Sequence, residues 1–199
     1  DILVNNAGFG WYGYFAEMPW EEASAMLRIN VEAAAHLARL ALPAMLARRQ
    51  GHILVISSVA GDIPSQGVGL YSASKAFLNA LTTSLHRECA GSGVHVTCLK
   101  PGPVKTEFFP NVRRAKGSRH IPVERLAVPA ERVGQAAWRA FRHPRRQVYV
   151  PGILALTPWV ELTLGWFMDR VGPLLLRWSE HPAQAGGSES ACGDDNASL

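Results

Sequence analysis

The sequence predicts an α/β fold, a parallel sheet covered by helices on both faces. Three observations predict it. Short, nearly continuous runs of Val, Ile and Leu recur along the chain, the mark of strands buried on both sides. Amphipathic helical stretches separate them, as in βαβ units. The composition suits a packed domain: of 199 residues, 48% are hydrophobic and 18% charged, too apolar for a disordered chain.

The elements follow in order. Ile2–Val4 is a short apolar strand running into the turn Asn5-Asn6-Ala7-Gly8, and Gly8, Gly10 and Gly13 keep the next loop open. After Pro19 and Trp20, Met26, Leu27, Val31, Ala34, Leu37, Ala38, Ala41 and Leu42 recur at three- and four-residue spacing. That predicts one helix with an apolar face through about Ala47. His52–Ile56 is the second strand, ending at Ser57-Ser58. A helix over about 70–90 carries Phe77, Leu78, Leu81 and Leu85 inward, and Gly91 and Gly93 end it. Val94–Leu99 is the third strand, stopped by Pro101-Gly102-Pro103. A basic loop-helix region, a helix over about 130–141 and a last strand, Gln147–Val150, complete a first unit over 1–152. Residues 153–180 form an apolar helical extension, and the Gly/Ser/Asp-rich residues 181–199 read as a disordered tail.

Composition excludes several functions. Cys89, Cys98 and Cys192 are odd in number and form no C-x-x-C pair. That argues against a disulfide framework and a structural zinc site and fits a reducing, cytoplasmic compartment. The seven histidines show no metal-ligand or triad spacing, so no metal is expected. Net charge is +4, and the excess lies between Val112 and Gln147, where ten Lys/Arg face only Glu124 and Glu131. Without interleaved aromatics or a nucleic-acid motif this is a solvated face, and no nucleic-acid partner is expected. The first residues lack the basic stretch of a signal peptide. Residues 153–178 carry Trp159, Trp166 and Trp178 but are broken by Pro158, Pro173 and four charges, so they do not make a spanning helix. A cleft cap or oligomer contact is the stronger reading for this segment, and a peripheral membrane contact the weaker.

The chemistry gathers around Tyr71-Ser72-Ala73-Ser74-Lys75. Tyr71 and Lys75 are four apart and share a helical face. A phenol is a poor acid or base at neutral pH, and a neighbouring ammonium is expected to lower its pKa toward the working range. By itself such a pair also suits an exposed surface. Its context tells against that. Ser58 ends the preceding strand, 13 residues before Tyr71. Asn5-Asn6-Ala7-Gly8 and Pro101-Gly102 end the first and third strands. All three fall at the carboxyl edge, where open α/β sheets bind ligands.

These residues, with Asn30 in Arg28-Ile29-Asn30-Val31 and with Val104 and Thr106 after Pro101-Gly102, resemble the classical short-chain dehydrogenase/reductase family in order and spacing from Asp1 to about Gly152. The resemblance implies a Rossmann-like doubly wound parallel sheet, of which this chain carries the C-terminal portion. It implies an NAD(P)-dependent oxidoreductase moving a hydride between nicotinamide and a carbonyl or secondary alcohol. Tyr71 is then the general acid or base, and Lys75 tunes it and binds the nicotinamide ribose. Ser58 holds the carbonyl oxygen, and Asn30 holds a relay water through its backbone. Asn5, Ala7, Gly8, Pro101, Gly102, Val104 and Thr106 join Asn30, Tyr71 and Lys75 in lining NAD(P)(H). Homo-oligomers are common in the family.

The sequence departs from the family in two ways. Ala33 stands where Gly is frequent, and the Gly-rich phosphate loop is absent. Gly8-x-Gly10-x-x-Gly13 matches such a loop in letters, but Phe9, Trp11 and Tyr12 are bulky and no helix opens directly after it. An N-terminally truncated chain is therefore expected, with the strand Ile2–Val4 as an open edge and with weak NAD(P) binding and little activity of its own. Phe9, Trp11, Tyr12, Tyr14 and Phe15, then Ile63, Pro64, Val68 and Leu70, then Phe108 and Phe109 suggest an apolar small-molecule substrate. Two other readings compete. One is a catalytically silent scaffold that binds a partner or membrane surface through the C-terminal segment, but it need not keep Asn30, Ser58, Tyr71 and Lys75 together. The other is a Ser58 hydrolase, which lacks a G-x-S-x-G elbow.

Overall fold

A computed structural model describes residues 1–115, 117–118 and 126–178. The expected tail, 181–199, and Cys192 lie outside the described residues. Four strands, β1 (Ile2–Asn5), β2 (Gly51–Ile56), β3 (Val94–Pro101) and β6 (Gln147–Val150), form one parallel sheet in the order β1-β2-β3-β6. The register pairs Val4 with Leu54, Val55 with Cys98 and Leu99 with Val148. All four expected strands are present, within two residues of their predicted ends. β1 lies at the sheet edge, and Ile2 and Val4 there are 55% and 48% exposed.

Alternation along the strands builds two cores. Ile53, Val55, Val94 and Val96 face α2 (Ala34–Ala47) and α3 (Gly69–Glu88), packing on Ala34, Ala38, Met45 and Leu78. Leu54, Leu99 and Val150 face the other way, toward Val133, Ala136, Ala137 and Phe141 of α5 (Ala130–Arg142). Helices therefore cover both faces, the doubly wound arrangement.

The single helix expected from after Trp20 to about Ala47 is three segments: α1 (Trp20–Leu27), a π-helical stretch over Arg28–Ala33, and α2. Two apolar residues expected inward are not. Leu37 is 48% exposed and Phe77 39%. Helical periodicity marks an apolar stripe, but the stripe here is wider than the strip of sheet beneath it. Beyond β3, the short strands β4 (Val104–Lys105) and β5 (Val128–Pro129) pair with each other, with α4 (Phe108–Arg114) following β4. Past β6, a 3-10 turn over Gly152–Leu156 leads into α6 (Thr157–Trp178), on which Trp159, Leu162 and Trp166 are exposed. Among the described residues no helix is long and apolar enough to cross a membrane.

Candidate active site

The carboxyl ends of β1, β2 and β3 form one rim, and α3 rises beside it. Ser58 lies two residues past the end of β2, and its Oγ accepts a hydrogen bond from the Ala60 N–H at 3.1 Å, starting a 3-10 turn over Val59–Gly61. That turn lies flat on α3. A Cβ on Gly61 would come within 2.6 Å of the Lys75 carbonyl carbon and 2.7 Å of the Ala76 nitrogen, so only glycine permits the approach. Ser58 is thereby held near Tyr71, where its hydroxyl eases ionisation of the phenol.

Tyr71 and Lys75 both lie on the buried face of α3. Lys75 Nζ donates to the Ile56 carbonyl at 3.2 Å and sits 5.8 Å from the centroid of the Tyr71 ring. Burial pushes the Lys75 amine down to about 8. Burial also pushes the Tyr71 phenol up, to about 12, against the opposing hydrogen bond of Ser58. In the chain by itself burial, not the neighbouring amine, is the first cause of the phenol's shift. The shared helical face expected from the spacing is present, and the Lys75 amine there also engages the Ile56 carbonyl.

Asn30 occupies the π-helical stretch and is fully buried. π segments often mark functional sites, because the widened turn re-aims one residue. Here the Asn30 side chain clamps the backbone of Phe9: its Oδ1 accepts from Phe9 N–H at 3.0 Å, and its Nδ2 donates to Phe9 C=O at 2.9 Å. The same Nδ2 reaches Ser74 Oγ at 3.1 Å, and Ser74 donates to the Tyr71 carbonyl at 2.7 Å. The loop after β1 is thus tied to α3 through side chains. A Cβ on Gly8 would lie 2.9 Å from Asn30 Oδ1 and 3.4 Å from Lys75 Nζ, so Gly8 keeps a hollow open over the lysine.

The other residues expected to line a cofactor occupy the same rim. The Asn5 side chain turns inward and donates to the Ala34 carbonyl at 2.9 Å, bracing the loop, while Ala7 and Gly8 are exposed. Pro101 is buried, and Gly102 N–H donates to Val150 C=O at 2.9 Å. Val104 is half-buried, and the exposed Thr106 accepts from Phe108 N–H through its Oγ1 at 3.2 Å.

An aromatic wall stands beside the phenol. Phe108 lies 5.6 Å and Tyr12 6.5 Å from the Tyr71 ring, centroid to centroid. Trp11 and Met26 pack with Tyr71, and Phe109 and Val112 pack with Tyr12. Tyr14 and Phe15, grouped with these from sequence, are exposed. A cavity of about 540 Å³ lies elsewhere, between α5 and β6, lined by Arg132, Arg139, His143 and Arg145 and by none of the rim residues. Sequence reasoning passed over Ser74 as a brace. The signal was available, since Tyr71, Ser74, Lys75, Leu78, Asn79 and Thr82 make one buried face that is mostly polar where a helix normally presents core.

Comparisons with known proteins agree with this fold. A family model described as short chain dehydrogenase matches residues 1–117. An uncharacterized oxidoreductase of Myxococcus xanthus is 42% identical over 108 residues, covering 54% of this chain and 43% of that protein. The uncharacterized oxidoreductase YbbO of Escherichia coli is 32% identical over 180 residues, covering 85% of this chain and 65% of YbbO. The chain thus spans less than two thirds of the length of either relative. A short-chain dehydrogenase from Sphingobium yanoikuyae, solved with NADPH, superposes with a TM-score of 0.68 at 25% identity, covering 95% of this chain and 69% of that one. A parallel sheet that brings Ser58, Tyr71 and Lys75 to one rim, and a family match over more than half the chain, lead to one assignment: the chain belongs to the short-chain dehydrogenase family.

Proposed function

We propose that the protein carrying this chain is an NAD(P)-dependent oxidoreductase that interconverts a carbonyl and a secondary alcohol on an apolar small molecule. The observation that carries the reading is the gathering of buried Ser58, Tyr71 and Lys75 at one rim, with Lys75 Nζ 5.8 Å from the centroid of the Tyr71 ring. The chain's own residues fit a nicotinamide cofactor: the hollow kept open by Gly8 lies over Lys75 Nζ, which donates to Ile56 C=O. Asn5, Ala7, Gly8, Asn30, Tyr71, Lys75, Pro101, Gly102, Val104 and Thr106 would hold it. The bound cofactor supplies the hydride. Ser58 positions the substrate oxygen and stabilises charge growing on it. Tyr71, protonated throughout the neutral range, delivers a proton to that oxygen. Lys75 supplies a positive charge beneath the phenol. Phe108, Tyr12 and Trp11 offer the substrate an apolar wall that excludes water.

The test is Tyr71→Phe in the full-length protein, assayed with NADPH and NADH on a panel of aryl and alkyl ketones. Turnover should fall by about 10²-fold or more while cofactor affinity stays within a few fold. Full turnover in the variant overturns the reading. The exposed Trp159, Leu162 and Trp166 favour a second role for α6, contact with a partner, a second copy or a membrane surface. A purely silent scaffold is disfavoured, since it has no need to bury an amine whose charge is costly there. Buried free thiols at Cys89 and Cys98 suit a cytoplasmic location.

A further inference from the structure

The polar face of α3 continues past Lys75 into a second buried cluster that the proton-transfer chemistry does not touch. Its hub is Asp62, at the end of the turn that begins at Ser58. The Asp62 carboxylate accepts from Lys100 Nζ at 2.9 and 3.0 Å, from Tyr149 Oη at 3.0 Å and from Asn79 Nδ2 at 2.9 Å. Lys100 Nζ also lies 3.3 Å from Tyr149 Oη. Asn79 Oδ1 in turn accepts from Ser57 Oγ at 2.6 Å. A carboxylate only accepts, so the amide nitrogen must face Asp62 and the amide oxygen Ser57. The Lys100 side chain is 3% exposed and that of Asp62 11%.

Stability alone is a weak explanation for such a pair. Two charges removed from water recover little more than their desolvation cost, and an apolar pair of similar volume often serves the fold as well. An ion pair with three further hydrogen bonds does fix one geometry, and the elements it joins are those of the site. Asp62 ends the Ser58 turn. Asn79 lies on α3, one turn beyond Lys75. Lys100 directly precedes Pro101-Gly102. Tyr149 adjoins Val150, whose carbonyl holds the Gly102 N–H. Burial alone would lower the Lys100 amine, but its bonds to Asp62 and Tyr149 hold it above its ordinary value, so the amine keeps its charge through the neutral range.

We propose that Asp62 and Lys100, tied in by Asn79 and Tyr149, are positioning residues: their buried ion pair sets where Ser58 and Pro101-Gly102 sit relative to Tyr71 and Lys75. The proposal rests on the oxidoreductase reading for its catalytic consequence and on the hydrogen-bond geometry for its structural one.

The test uses the full-length protein. Lys100→Met alone strands a buried carboxylate and risks misfolding, so the informative variant is the double Asp62→Asn/Lys100→Met, with Lys100→Arg as the conservative control. The double variant should melt within about 5 °C of wild type, because both charges leave together. Amide exchange at Gly61, at position 62, at Ile63 and at Gly102 should quicken about tenfold, while the middle of α3 is unchanged. NADPH affinity should stay within about threefold, and kcat should fall roughly ten- to a hundredfold from misplacement of the groups. Lys100→Arg should recover most of kcat. Unchanged exchange at those amides overturns the proposal. So does a kcat within twofold of wild type in a preparation whose Tyr71→Phe counterpart is inactive. If Tyr71→Phe is itself fully active, the oxidoreductase reading has failed and the catalytic role of the pair fails with it.

Discussion

Removing the Asn30 side chain should loosen the loop after β1, and the cost can be worked out bond by bond. Asn30 is 0% exposed and spends its amide on three partners: Phe9 N–H, Phe9 C=O and Ser74 Oγ. Ser74 keeps its bond to the Tyr71 carbonyl, so losing it as a partner adds little. Phe9 is only half-buried, so water can partly replace its two lost bonds, at about 1 kcal/mol each. The cavity left in a closed site adds about 1 kcal/mol more. Asn30→Ala should therefore cost about 2–4 kcal/mol. Asn30→Asp should cost more at pH 7, about 3–5 kcal/mol, because it aims an unpaired buried carboxylate oxygen at the Phe9 carbonyl. Burial and that repulsion raise the new carboxyl's pKa. As pH falls the group takes up a proton, can donate to Phe9 C=O, and part of the loss should return. Urea unfolding of both variants at pH 5 and pH 7 measures this. An aspartate variant as stable as wild type at pH 7 refutes the assigned amide orientation, and an alanine cost below about 0.5 kcal/mol refutes the clamp.

Two further outcomes follow from the same geometry. Gly61→Ala puts a methyl 2.6 Å from the Lys75 carbonyl carbon, and that backbone cannot yield, so the Ser58 turn must lift. Overpacking of this kind costs about 1–3 kcal/mol, and turnover should drop by about tenfold or more, read by thermal melting and steady-state kinetics together. Lys75, lowered to about 8 by burial, loses its proton above that pH. If its charge is needed, kcat/KM for carbonyl reduction should be level below pH 8 and fall above it. A profile still level at pH 9.5 would remove Lys75 from the mechanism.

The strands were legible because a parallel strand buried on both faces is written as an unbroken aliphatic run. The rim was legible because such strands end where ligands bind, so Ser58 and Pro101-Gly102 had to meet near the helix bearing Tyr71. Other features lack a local signal. The π turn around Asn30 interrupts no periodicity that the apolar residues carry. The exposure of Leu37 and Phe77 depends on how much sheet lies beneath them. Asp62 and Lys100 are 38 positions apart, and neither charge hints at the other until β2 and β3 lie side by side.

Spacing also fails for the phenol, and the reason bears on the chemistry. Four residues of helix bring Tyr71 and Lys75 to one face but say nothing of the water removed from both. Burial disfavours the charged form of each, driving the phenol to about 12 and the amine to about 8. The proton therefore rests on Tyr71 at neutral pH, while Lys75 is still mostly cationic. A site in that state is set to give a proton to an oxygen that gains negative charge, which is what a carbonyl oxygen does when hydride arrives at its carbon. Taking a proton from an alcohol requires first ionising a phenol that desolvation opposes, although Ser58 eases that ionisation in part. On the proposed oxidoreductase reading, this protonation state suits the reductive direction. The measurement that decides it is the pH profile of kcat/KM for alcohol oxidation: it should climb with pH well beyond 8, and a profile already level at pH 7 would show that the bound state reverses the balance burial sets.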